Sequence, residues 1–333
     1  MSQIIINSKG ASLSKTNGLF EVRLQDGNKQ SFHPDKVKSF WLSAGVSITT
    51  DAMLLALEHD IAVIITDNFG NPKGSLWNNQ FGSIATIRKN QYAFTLSKEG
   101  KEWIKATILQ KINHQVNFLQ QIRYSNIPDD KAIVELEKMI TQIQNVLVSI
   151  NFFQPDEVVN WKDVLRGWEG SVSRFYFQGL AGSLSPLFRF EGRSRPARDM
   201  FNCMLNYGYG VLYGKVESAL IGAGIDASLG ILHADEYNKP VFSYDFIEPY
   251  RIWVDTVIFQ LCFSQQVNYL CFDRKEKSLW LNHTGKKVVI SALNTYWEEV
   301  INHRNRQRSR NRHLQLDAHE LAQYLLKKNY ECL

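Results

Sequence analysis

No stretch of about 18 apolar residues occurs in the chain, so no membrane-spanning helix is expected. Cysteine is scarce. Cys203, Cys262, Cys271 and Cys332 are scattered, with no Cys-x-x-Cys pair among them. That spacing argues against structural zinc and for a reducing compartment, with the cytoplasm as the default. No Gly-x-x-x-x-Gly-Lys-Ser/Thr loop is present, so chemistry driven by a bound nucleotide is not expected. The opening Met1-Ser2-Gln3-Ile4 has no basic segment and no long apolar run, and reads as an ordinary first strand. No tandem repeat and no recognised base-reading module, such as a helix-turn-helix or zinc finger, is found.

What remains is a chain with ample material for cores. Its 333 residues, 44% hydrophobic and 12% aromatic, have room for about two domains. The first 75 or so residues read as mostly β. Ile4-Ile5-Ile6, Leu19 to Leu24 and Val37 to Leu42 are short β-branched or aromatic runs. Asp26-Gly27 is a hairpin signal. One helix is expected near 49–58, capped by Thr50 or Asp51, then a buried strand at Ile61 to Ile65 closed by Asn68-Phe69-Gly70-Asn71-Pro72. From about residue 84 the apolar period changes. Ile104, Ile108, Ile112 and Val116 share one helical face, and Ile133, Leu136 and Ile140 another. Pro128 and Pro155 mark breaks between helices. The expected fold class is α+β: a β-rich domain over 1–80, then a mainly α-helical domain over 81–333.

Charge is unevenly placed. Residues 261–333 carry 12 basic and 7 acidic groups, which accounts for the whole net charge of +5. The densest segment holds Arg304, Arg306, Arg308, Arg310 and Arg312 with polar spacers. Alternating arginines of this kind suit a phosphate backbone better than a core. The plainer reading is a solvated surface segment.

Three carboxylates and one histidine sit in polar breaks of an apolar, aromatic stretch. Glu169 lies in Trp168-Glu169-Gly170, on a segment from Trp161 to Gly179 with a helical pattern, and is expected to face inward beside Trp168 and Phe175. His233 ends the run Ile231-Leu232, where a satisfied core histidine is the commoner outcome. Asp235 and Glu236 are candidates to orient its second nitrogen. Asp245 and Glu248 are three apart, which on a helix places both on one face. The same pattern also resembles a capping box opening a helix from Ile252 to Cys262. Arg251, one turn on, is placed to pair with Glu248 or to contact a phosphate. Acids with one imidazole and no thiolate suit a hard divalent cation, Mg²⁺ or Mn²⁺. Such an ion, flanked by arginines, is the usual apparatus for chemistry on phosphodiesters.

The order of these elements is more specific than any one of them. Trp-Glu-Gly, then Arg193-x-Arg195-Pro196, Asn202, Gly-Ile-Leu-His ending at His233, and Tyr244-Asp245-x-x-Glu248-Pro249-Tyr250-Arg251 together resemble the CRISPR-associated spacer-acquisition integrase family. Ser8-Lys9-Gly10-Ala11, Leu54-x-Ala56-Leu57 and Phe69 to Gly74 are similar to that family too, so the likeness covers nearly the whole chain. The resemblance implies a β-rich domain that dimerises and a helical domain with a metal-dependent DNA site. It implies Glu169, His233 and Glu248 as metal ligands, with Asp245 beside them. It also implies a partner, a small ferredoxin-like CRISPR-associated dimer that bridges two dimers of this chain. The arginine run departs from the family by being richer.

The expected activity is DNA strand transfer on double-stranded DNA: a free 3′-hydroxyl attacks a phosphodiester at a repeat edge. Arg251 and the loop arginines Arg189, Arg193, Arg195 and Arg198 are candidates to stabilise the charge that develops. One alternative is a hydrolytic nuclease of branched or flapped DNA, in which water replaces the hydroxyl. Another is a non-catalytic DNA-binding scaffold in which the acids are caps and core pairs.

Overall fold

In a computed structural model the described residues are 2–59, 61–67, 72–76, 84–124, 130–234, 236–237, 239–276, 278–328 and 330. Pro128, Asp235, Cys332 and the turn at 68–71 lie outside them. The chain divides into two compact units, residues 1–85 and 86–333, against a boundary expected near residue 80.

Among the described residues the first unit is built from eight short strands, one α-helix and a 3-10 turn (Pro34–Lys36): β1 (Ser2–Ile6), β2 (Ser12–Thr16), β3 (Leu19–Arg23), β4 (Lys29–Phe32), β5 (Val37–Ser43), β6 (Ser47–Ile48), α1 (Thr50–Glu58), β7 (Ala62–Thr66) and β8 (Pro72–Leu76). They form two four-stranded sheets, ordered β1-β5-β7-β8 and β4-β3-β2-β6. β5 is paired in parallel with β1 and β7, while β2, β3 and β4 form an antiparallel meander. Period-two burial directs Phe20 and Val22 of β3 inward, and Phe20 meets Phe40 edge-on at 4.7 Å. The α1 cap is Thr49, one residue before the expected cap, whose hydroxyl accepts from the Ala52 amide. Asn17 and Gly18 both take positive φ and close the β2–β3 hairpin.

The second unit is largely helical: α2 (Ile84–Leu96), α3 (Lys98–Arg123), α4 (Asp130–Phe152), α5 (Trp161–Ser183), α6 (Met200–Gly222), α7 (Val241–Phe246), α8 (Arg251–Phe263), α9 (His283–Glu298) and α10 (Arg310–Lys327). Two hairpins interrupt it, β9 (Phe272–Lys275) with β10 (Ser278–Leu281), and β11 (Val300–His303) with β12 (Arg306–Ser309). α3 runs through the core, with Ile104, Ile108, Ile112 and Leu119 wholly buried. α6 and α8 approach closely at Gly208, where a Cβ would lie 2.5 Å from Val254 Cγ1. A glycine there lets α6 lie directly against α8, so Tyr209 and Tyr213 of α6 sit under Arg251, the first residue of α8.

Candidate active site

A cleft of about 270 Å³ opens in the helical unit. α3 contributes Lys111 and Gln115 to its wall, α5 contributes Glu169 and Phe177, and α6 contributes Tyr209 and Tyr213. The α5–α6 loop supplies Arg193 and Arg195, and α8 supplies Arg251. The lining is therefore aromatic and cationic around one acid, Glu169, a setting that attracts an anionic, flat-faced ligand.

The acids are held by one ammonium. Lys111 Nζ lies 2.5 Å from Glu169 Oε1 and 2.5 Å from Glu248 Oε2. The first contact is a directed hydrogen bond. The second is a close ion pair whose alignment falls outside hydrogen-bond geometry, so the buried Oε2 of Glu248 faces the ammonium without a well-directed donor. Glu248 Oε1 accepts from Arg251 Nε at 2.9 Å. Burial pushes the Glu248 carboxyl up, but the Arg251 and Lys111 cations outweigh it and hold the group well below the usual carboxylate range. For Lys111, burial favours the neutral amine, yet Glu248 and Glu169 together raise its pKa. Glu248 is thus an ionised carboxylate that is itself shut off from bulk water.

Arg251 also donates to the Tyr213 hydroxyl at 2.6 Å and lies over the Tyr209 ring at 5.0 Å. Tyr209 in turn donates to buried Asp255 at 2.5 Å, and Tyr176 donates to the same carboxylate at 2.9 Å. Burial raises Asp255 to about 6, against the pull of both hydroxyls. The floor beneath the arginines is therefore a fixed hydrogen-bonded layer.

The spacing of Asp245 and Glu248 does not put them on one helical face. α7 ends at Phe246, and Glu248 opens a 3-10 turn, Glu248–Tyr250, because Pro249 cannot extend the preceding helix. Nor do the two residues form a capping box: α8 begins at Arg251 with no side-chain cap. Asp245, fully buried, accepts from the Ile231, Leu232 and His233 amides at 2.6, 3.0 and 3.3 Å. It also lies 2.6 Å from His233 Nδ1. This carboxylate therefore orients the imidazole, leaving Nε2 as its outward nitrogen. Glu236 does not take that role, being ion-paired with Lys239 on the surface; Asp235 lies outside the described residues.

Glu169 and Glu248 are thus brought together on Lys111, while His233 is held by Asp245. Among the described residues no three His, Cys, Asp or Glu side chains converge on one cation position. The donors nonetheless suit a hard cation. Two carboxylate oxygens meet at a single positive charge, one of them buried and poorly aligned with its donor, and an oriented imidazole carries an outward nitrogen.

The arginines separate into two groups. Arg193 donates to Asn202 and, at 2.7 Å, to Asn206, and lies over the Phe177 and Tyr209 rings. Arg189 and Arg198 are exposed and not part of the cleft lining. The 304–312 run is no loose tail. Arg304 and Asn305, both at positive φ, form the tip of the β11–β12 hairpin. Arg304 pairs with Asp317 and Glu320, Arg306 with Glu320, and Arg310 with Glu299. Arg308 and Arg312 have no acidic partner among the described residues; they bond to the Gln307 carbonyl and the Gln315 side chain.

Lys111 and Gln115 were not anticipated as site residues. A signal for both exists. They fall three residues after Ile108 and Ile112, on the apolar stripe of α3, where a lysine and a glutamine have no place on a purely structural face.

A sequence model of the family described as CRISPR associated protein Cas1 matches residues 4–295. The chain is 25% identical over 342 residues to the CRISPR-associated endonuclease Cas1 1 of Archaeoglobus fulgidus, covering 99% of this chain and 98% of that one. Among solved structures it is similar to a casposase bound to integration product, with TM-score 0.78 at 22% identity over 100% of this chain and 92% of that chain. It is also similar to a chain of a Cas6-RT-Cas1–Cas2 complex, with TM-score 0.76 at 19% identity over 97% of this chain and 35% of that chain. These two likenesses show the fold: a β-stranded N-terminal region followed by a mostly helical one.

Proposed function

The chain belongs to the CRISPR-associated Cas1 family, and on that premise we propose that it inserts short foreign DNA into a CRISPR repeat array by metal-dependent strand transfer. The observation that carries this reading is that Lys111 and Glu169 line one cleft with Arg193, Arg195 and Arg251, and that Lys111 pairs Glu169 with the buried Glu248. Glu169 and Glu248 are the ligands for Mg²⁺ or Mn²⁺, with His233 Nε2 as the third. Bound there, such an ion supplies a Lewis acid for the phosphoryl oxygen and makes the attacking hydroxyl more acidic. Asp245 keeps His233 in one tautomer and one orientation. Arg251, fixed by Glu248 and Tyr213, presents its guanidinium to the phosphate whose charge spreads during transfer. Tyr209 and Phe177 hold the flat faces of the Arg251 and Arg193 guanidiniums, so these donors need little reorganisation during reaction.

The acting species is a dimer through the β-rich unit, working in the cytoplasm with a small ferredoxin-like partner that bridges two dimers. Support for a partner is twofold. One structural neighbour is part of a Cas1–Cas2 complex, and phosphate contacts alone position DNA without reading it. The test is to incubate a short duplex bearing free 3′-hydroxyls with a repeat-bearing plasmid, with and without that partner, and to sequence the products. Joined strands at both repeat edges only with the partner are expected. Nicked, unjoined plasmid under every condition would replace strand transfer with hydrolysis.

A further inference from the structure

Lys111 carries its charge in an unusual place. Its side chain is 6% exposed, and its ammonium is the only protein cation shared by Glu169 and Glu248 among the described residues. Two carboxylates this close repel unless a cation or a proton lies between them. A divalent cation held by these carboxylates would draw on the same two oxygens. It would then compete for the lone pairs that Nζ now faces at 2.5 Å. Both cannot be nearest neighbours of the same oxygens. One helical turn on, buried Gln115 lines the cleft with an Oε1 that has no hydrogen-bond partner. That carbonyl is an acceptor within the compass of an i, i+4 side-chain pair, open to a displaced ammonium.

We propose that Lys111 is a built-in counter-ion: it holds Glu169 and Glu248 together in the metal-free protein, and a divalent cation enters by displacing it toward Gln115. The proposal rests on the reading of the two glutamates as cation ligands. It makes Lys111 a positioning residue that sets the affinity of the site. Cation binding is weakened by the fraction of molecules in which the lysine is unseated, so removing the lysine removes that penalty.

The probe is Mn²⁺ alone, titrated calorimetrically into the full-length protein without DNA at about pH 8, where a shared proton does not replace the lysine. Lys111→Met is expected to bind Mn²⁺ about tenfold more tightly than the wild type. A lysine that only stabilised the fold would, on removal, loosen the site and weaken binding; unchanged or weaker binding overturns the proposal. A second measurement needs no variant at this position. Amine acylation of the wild-type protein, read by mass spectrometry, is expected to label Lys111 severalfold faster once Mn²⁺ is bound. Lys105, buried on the same helix and paired with Glu102, is the internal reference and stays slow. A Lys111 as protected with Mn²⁺ as without it overturns the proposal even if Lys111→Met does not fold. Titration of the Glu169→Gln/Glu248→Gln protein separates the two levels. If it binds Mn²⁺ as the wild type does, the ligand assignment fails, and the proposal with it. If binding needs the carboxylates but Lys111 neither competes nor moves, the counter-ion alone is wrong.

Discussion

Two arginine-bearing regions of the helical unit differ in a way that local charge density does not reveal. The β11–β12 hairpin and the start of α10 hold five arginines within nine residues, yet three of them are ion-paired to Asp317, Glu320 or Glu299. Around the cleft the arginines are few and spread along the chain, but Arg193 and Arg251 are fixed by aromatic faces and polar partners. Arg251 lies over Tyr209 and Tyr213, and Arg193 over Phe177 and Tyr209. The density of like charge in a sequence is therefore a poor measure of charge available to a ligand. What distinguishes the cleft is that Arg251 and Arg193 lie against aromatic rings, Arg251 beside a buried carboxylate and Arg193 on two asparagines.

The sharpest break of this contrast is Arg251→Ala. It removes the directed partner of a buried carboxylate, and breaking a buried pair from one side costs about 3–5 kcal/mol. Chemical denaturation is expected to show a loss of that order, together with loss of strand joining. A loss below about 1 kcal/mol would place Arg251 with the surface pairs. Next in size is Asp245→Asn, which replaces one of the two oxygens that hold the Ile231, Leu232 and His233 amides and the His233 ring with an NH2 donor, so the imidazole loses its fixed orientation. Joining is expected to fall about 10–100-fold, as for other groups that orient a ligating imidazole. Wild-type rates would mean that the histidine does not act in the site.

The hairpin should respond less, and unevenly. Neutralising Arg308 and Arg312 is expected to lower the salt dependence of DNA binding by about one unit of slope for each phosphate that goes without its arginine, evenly across sequences. Neutralising Arg304 and Arg306 should change it less, because their charge is already matched by Asp317 and Glu320. Equal effects from both pairs would mean that ion pairing does not limit the charge the hairpin offers to DNA. The smallest effect belongs to a surface cluster away from both regions. Glu99 accepts from Lys328, Tyr324 and Tyr330, which lower its pKa from 4.5 to about 2. Because the folded value is the lower one, the cluster's contribution is complete above about 4.5 and is lost as pH falls toward 2. Acid titration of Glu99→Gln should show a flatter loss of stability across that window than the wild type.

Part of the site stands out in the sequence because its elements are local motifs. Residue type singles out Glu169, Glu248 and Arg251 as candidates, the family resemblance groups the two glutamates as ligands, and in space these two meet through Lys111. The rest needed long-range geometry. A lysine in a helix ordinarily reads as solvated, so Lys111 shows only through its phase against Ile108 and Ile112. The pairing of Arg304 with Asp317 joins a hairpin tip to a helix thirteen residues on, and no periodicity announces it. Asp245 and Glu248 fell on different partners because Pro249 ends one helical segment between them. In the first unit, β2 was not foreseen: Ser12-Leu13-Ser14-Lys15-Thr16 is polar, and its place in the sheet is decided by pairing with β3.

The most direct test of a cation-binding catalytic cleft compares wild-type and Glu248→Ala proteins in Mn²⁺. Joining of a 3′-hydroxyl duplex to a repeat-bearing plasmid and duplex binding are followed on the same preparations. Joining is expected to be abolished while binding stays close to wild type, because the carboxylate acts on charge that develops only in the transition state. Joining at the wild-type rate by Glu248→Ala would contradict that role.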